Sequence, residues 1–235
     1  LTGVLWPVTE SYMSGGRSGP RLRFATGLFN VVWSSALVVS YWAMGPLLKS
    51  HALLVIVGVG TIHLASMALL RAFTTRPAPH VHEDHAPTPE IYPRLLGVFR
   101  MQLPTSYLVY SALTPFLPLA CAELAIPEGW RTPLASVWLA SRVLTFAVLQ
   151  WWHGWHGRWA TTLVGSVLLL GGFGVAVLST VMAGHWGLGR RTGIRALVTG
   201  LAVFGIGMGV IYSSAIYYAL AVGQAEVDAG GKHEA

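Results

Sequence analysis

The sequence predicts an all-α fold: a polytopic membrane bundle of about six full transmembrane helices and one partial helix. Three observations predict it. Apolar residues make up 54% of the chain and charged residues only 10%. A soluble domain carries roughly 25% charge, so this chain has too little to cover a surface facing water. Apolar runs of membrane-crossing length recur along the sequence; each needs about 20 residues to span roughly 30 Å of hydrocarbon. The arginines gather mostly between those runs, where they fix orientation.

Residues 1–12 (LTGVLWPVTESY) read as the end of a span. The chain opens without Met inside this apolar stretch and stops just after a polar one, so both ends read as cuts in a longer protein. Residues 14–23 carry Gly15, Gly16, Gly19 and Pro20, which break the helix, and Arg17, Arg21 and Arg23, which make the turn basic. Residues 25–48 form the first complete span, with Asn30 in its early turns, Tyr41 and Trp42 as interface anchors, and Pro46 and Lys49 closing it. Residues 51–70 return the chain, Gly58 and Gly60 allowing close contact.

Residues 71–100 (RAFTTRPAPHVHEDHAPTPEIYPRLLGVFR) interrupt the apolar sequence for longest. Five prolines exclude a helix interior there. The stretch reads as a polar linker between a first helical half, 1–70, and a second, 101–235. Residues 103–126 give the next span, made irregular by Pro104, Pro115 and Pro118, and 127–131 a short turn. Residues 133–152 come back with Arg142 inside the apolar run. WWHGWHGRW at 151–159 is a tight aromatic turn. Residues 160–182 cross again, 184–195 form a Gly-rich basic loop, 196–222 make the last span, and 224–235 are polar.

Alternate loops then separate the positive charges. Arg17, Arg21, Arg23, Arg71, Arg76, Arg94, Arg100, Arg158 and Lys232 fall on one side, and Lys49, Arg131, Arg190, Arg191 and Arg195 on the other. Nine against five places the central linker in the cytoplasm. The net charge of +6 thus belongs to membrane topology, and no nucleic-acid partner is expected.

Arg142 is the sharpest candidate for function. A cation at mid-membrane costs about 2.5–3.5 kcal/mol on insertion scales, so it faces a pathway or a partner. It either contacts substrate or pairs structurally with Glu123 or backbone carbonyls. Glu123 and Glu10 are the candidate coupling carboxylates. Asn30 either touches a solute or bonds across helices. Ser214, Tyr217 and Tyr218 share a helix face at i, i+3, i+4 and line either a polar pathway or an interhelical seam. The tract around His80, His82 and His85 is a solvated linker rather than a metal site, and His63 is a packed histidine. His153 and His156, three apart among glycines, suit a turn. Cys121 alone excludes an internal disulfide. No Ser-His-Asp order, paired carboxylates or HExxH motif appears, so an enzyme is not expected.

Three features resemble the major facilitator superfamily of secondary transporters over most of the chain. The long linker separates two helical halves. The turn HGWHGRW ends in Gly157-Arg158, matching the close of the family's G-x-x-x-D-R-x-G-R-R turn, although the acidic residue is absent. GIGMGVIYSSAIYYALAVG is similar to the tenth helix of some bacterial members. The resemblance implies a stretch from the end of the fourth helix to the tenth and a bacterial inner-membrane location. It implies alternating access for a small solute, Gly157 and Arg158 in a conformational turn, and no cofactor. An alternative is a membrane-embedded binding or assembly subunit holding haem, pigment or quinone on the aromatic, histidine-bearing turn.

Overall fold

The computed structural model of the chain describes residues 2–74, 76, 78 and 89–222. Among them the regular elements are all helical. They are α1 (Thr2–Ser14), α2 (Gly19–Leu69), a 3-10 turn (Leu70–Ala72), α3 (Ile91–Glu123), α4 (Glu128–Ala135), α5 (Val137–Trp151), α6 (Trp159–Ala183) and α7 (Arg190–Val222). His80, His82, His85 and the tail from 223 lie outside the described residues.

Five stretches are long and apolar enough to cross a membrane: Gly19–Gly45, Ser50–Leu69, Glu128–Trp151, Trp159–Ala183 and Arg190–Val222. They mark a multi-pass membrane protein. The expected six full spans are therefore five by this measure. The difference is α3, which at 33 residues is long enough but is diluted by polar side chains and by Pro104, Pro115 and Pro118. It also begins at Ile91, inside the stretch expected as linker.

Two expected spans are joined in α2. Its helix is interrupted only at His51 (φ −146°, ψ 54°), five residues beyond Pro46. The second half folds back, because Tyr12 near the end of α1 donates a 2.7 Å hydrogen bond to the carbonyl of Thr74 and meets Phe73 edge-on at 5.4 Å. Within that half Val55 is buried and His63 is exposed, contrary to the packed histidine expected there. Only 6% of that span's apolar window is buried, so little of the described structure covers the histidine.

Helix α7 is the hub, with 56% of its apolar window buried against 6% for Ser50–Leu69. Glycine makes this possible. Gly193, Gly200 and Gly207 fall seven apart on one face of α7. A Cβ at Gly200 would strike the backbone of Ala176, one at Gly207 the backbone of Leu169, and one at Gly172 of α6 the backbone of Phe204. Without side chains between them the two backbones approach closely, and dispersion contacts accumulate along the seam. Another face of α7 meets α5, where a Cβ at Gly205 would strike the Trp138 carbonyl and one at Gly209 would lie 2.9 Å from Thr145.

Two basic residues counted for orientation also hold the chain together. Arg190 donates to the carbonyls of Leu124 (2.8 Å) and Ala125 (2.7 Å), and Arg131 to that of Ile126 (3.1 Å). These acceptors lie just past the end of α3, where helical carbonyls lack intrahelical donors. Arg190 therefore starts α7 as a helical residue instead of lying in the loop expected over 184–195.

Candidate functional site

The interior of the bundle is built around Arg142. The side chain is 2% exposed. Its guanidinium carbon lies 4.5 Å from the ring centre of Trp33, 5.3 Å from Trp138, 5.4 Å from Phe146 and 5.3 Å from Tyr212. Trp138 and Phe146 flank it by one helical turn on α5, Trp33 comes from α2 and Tyr212 from α7. Gly209 leaves room for its stem, since a Cβ there would sit 3.4 Å from Arg142 Cγ. The polar groups acting on the charge are the phenols of Tyr107, Tyr212 and Tyr110, with Tyr107 as a hydrogen-bond partner. Glu123, considered as a partner, stands exposed at the end of α3 instead.

The magnitudes explain how a lone cation survives here. Each desolvated ring contact contributes about 0.5–2 kcal/mol. Four of them match the insertion cost of about 2.5–3.5 kcal/mol. Among the described residues the guanidinium is thus held without a carboxylate, and its Nε has no hydrogen-bond partner.

The cage is linked to a cavity of about 30 Å³ between α2, α5, α7 and the aromatic turn. Trp33 donates from Nε1 to Asn30 Oδ1 at 3.2 Å, and Asn30, 1% exposed, lines that cavity. Phe146 belongs to both the cage and the cavity wall. Arg23, Thr26, Gln150, His153, His156, Ser213 and Tyr217 add to the polar lining. The volume suits two or three water molecules, taking about 10–15 Å³ for each.

His156 supplies a defined acceptor. Its Nδ1 donates to the carbonyl of His153 at 2.9 Å, so in the neutral ring the proton is on Nδ1 and Nε2 carries the lone pair. Nε2 is buried without a partner. Burial pushes the imidazole down from 6.5 to about 4; the bond to His153 opposes this, while Arg23 and the His153 ring add to it. The folded state therefore binds fewer protons than the unfolded chain between pH of about 4 and about 6.5. Stability is expected to fall as pH drops through that window. Thermal unfolding in detergent across it checks this, and His156→Phe should flatten the slope.

The turn itself is anchored by Trp155, 6% exposed, which donates from Nε1 to the Leu149 carbonyl at 3.0 Å. Trp151, Trp152 and Trp159 face outward, as membrane-interface tryptophans do. Gly157 adopts φ +64°, which glycine adopts without steric cost. Its N–H donates to Tyr218 Oη at 2.8 Å. Tyr218 is fully buried, stacked on Phe99 at 5.7 Å and edge-on to Tyr92 at 5.0 Å. Tyr218→Phe is expected to cost about 1–3 kcal/mol, because it orphans the Gly157 N–H. Equilibrium unfolding in mixed micelles reads that loss.

The face Ser214–Tyr217–Tyr218 is divided by the fold. Tyr217 reaches the cavity, Tyr218 holds the turn, and Ser214 is buried with an unpartnered hydroxyl. Arg158 is exposed at the start of α6. Glu10 is buried within α1, where Ser14 Oγ donates to its backbone carbonyl at 2.9 Å. Sequence reasoning missed Trp33, Trp138 and Phe146 of the cage, and Arg23, Gln150 and Ser213 of the cavity. Arg23 was counted only as a loop charge, and Ser213 stands next to the face that was chosen. Among the described residues no cluster of three metal-ligating side chains occurs.

No protein-family model matches the chain, and neither does any curated protein or solved structure.

Proposed function

We propose that the chain forms part of a secondary transporter resembling the major facilitator superfamily and moves a small solute across a bacterial inner membrane by alternating access. The central linker then lies in the cytoplasm, as the arginine distribution suggests. The observation that carries this reading is the caged Arg142. It is a buried cation with no carboxylate neighbour among the described residues, caged by α2, α5 and α7 and joined through Trp33 and Asn30 to a polar cavity. Ionisable groups at membrane depth mark substrate or ion pathways by default. A cation that lacks a fixed counter-charge favours an anionic or strongly polar solute.

In this reading the solute enters by the cavity, where Asn30 and Tyr217 meet it first. It then displaces part of the ring contact on Arg142, gaining the hydrogen bond that Nε lacks. Ser214 stands in reserve on α7, and the Gly157–Tyr218 bond holds the turn that would shift as the halves rock. Proteoliposome flux with a panel of anionic and neutral solutes tests the proposal. The expected result is flux of at least one solute that disappears when Arg142 is replaced. No flux for any of them, or wild-type flux in the Arg142 variant, would overturn it.

A further inference from the structure

We infer that the cavity between α2, α5, α7 and the aromatic turn binds a small oxyanion that retains one proton, of about the size of hydrogencarbonate. The binding stands whether or not the bundle moves a solute.

Two buried, unpartnered atoms define the ligand. Arg23 Nε–H is a charged donor with no acceptor, and His156 Nε2 is a buried atom with no partner. Both residues line the same cavity. A water molecule could bridge such a pair but would leave the Arg23 charge without a counter-ion. A fully deprotonated oxyanion would satisfy Arg23 and set its negative oxygens against the Nε2 lone pair. One group that does both carries an anionic oxygen for Arg23 and an O–H for Nε2. Hydrogencarbonate is the smallest carbon oxyanion with that pairing, and its four heavy atoms suit a cavity of about 30 Å³.

The surrounding groups agree. Asn30, which accepts from Trp33 through Oδ1, also lines the cavity. Gln150 and Ser213 can give or accept. Among the described residues no Asp or Glu lines the cavity to repel an anion. The depressed imidazole keeps Nε2 an acceptor at neutral pH. The charged or titratable groups facing it are Arg23 from α2, His153 from the turn and Tyr217 from α7.

The test is calorimetric titration of the purified, detergent-solubilised chain at pH 7.5 with sodium hydrogencarbonate, formate and nitrate. Formate and nitrate offer anionic oxygen without the O–H. Hydrogencarbonate is expected to bind at least about tenfold tighter than either, a difference of about 1.4 kcal/mol that one hydrogen bond can supply. It should also bind with no proton taken from the buffer. Arg23→Gln should abolish binding of all three anions. His156→Phe should bring hydrogencarbonate down to the affinity of formate. In 15N-histidine spectra of the wild type, the Nε2 resonance should shift with hydrogencarbonate and not with nitrate, which keeps the test open if either variant fails to fold. No binding of hydrogencarbonate would overturn the proposal. So would equal affinity for nitrate with proton uptake, because an imidazolium would then be the partner.

Discussion

Gly200→Leu is expected to destabilise the bundle by about 3 kcal/mol or more, the largest effect of any single substitution considered. A new Cβ at this position meets the backbone nitrogen and Cα of Ala176, and the Gly172 carbonyl at 2.8 Å. Backbone cannot rotate aside as a side chain can. Helix α6 must therefore move away, and the neighbouring contacts at Gly207 and Gly172 open with it. Gly171→Ala is the matched control, since nothing lies within 4 Å of a Cβ there. It should be neutral or stabilising by up to about 1 kcal/mol, because alanine loses less backbone entropy in a helix. Unfolding of both variants in mixed micelles, beside the wild type, separates the two. Equal effects would mean that α6 and α7 are not held by this seam.

Arg142→Leu is expected to abolish flux by about 10–100-fold or more while leaving thermal stability equal or raised. Removing a charged hydrogen-bonding group from a recognition site costs about 1.5–3 kcal/mol of binding, which is that range of affinity. Stability is held or raised because the desolvation cost of the cation, about 2.5–3.5 kcal/mol, vanishes together with the ring contacts that offset it. Leucine also fills an apolar box well. Arg142→Lys should recover part of the flux, since it restores charge without the planar fork that lies across aromatic faces. A leucine variant that unfolds would assign the arginine to architecture. One that folds and transports normally would remove it from the pathway.

Legibility in the sequence varied by element. The two spans expected at 160–182 and 196–222 correspond to Trp159–Ala183 and Arg190–Val222, because unbroken apolar runs leave little choice. The start of α7 was missed because Arg190 reads as a loop charge until its carbonyl acceptors beyond α3 are known. Half of the cage was open to reading but was not read: Trp138 and Phe146 stand four residues either side of Arg142, where a helix brings side chains together. Trp33 and Tyr212 were not open to reading, since they arrive from helices whose rotation only packing decides. The polarity of the His156 ring was hidden too. It depends on one bond to the His153 carbonyl, which a pattern of types and spacings does not contain.

The glycine seam has a mechanical meaning. Helices α6 and α7, locked backbone to backbone, behave as a single stiff beam. Against that beam and α5, α2 is fastened more lightly, by the Trp33 ring against Arg142 and Tyr212 and by one indole hydrogen bond from Trp42 to Ser136 Oγ at 3.1 Å. Contacts of that kind slide and re-form over short distances, whereas interlocked backbones do not. Any change of shape that widens the cavity is therefore a displacement of α2 across the face of the beam, with Trp33 as the latch that opens first.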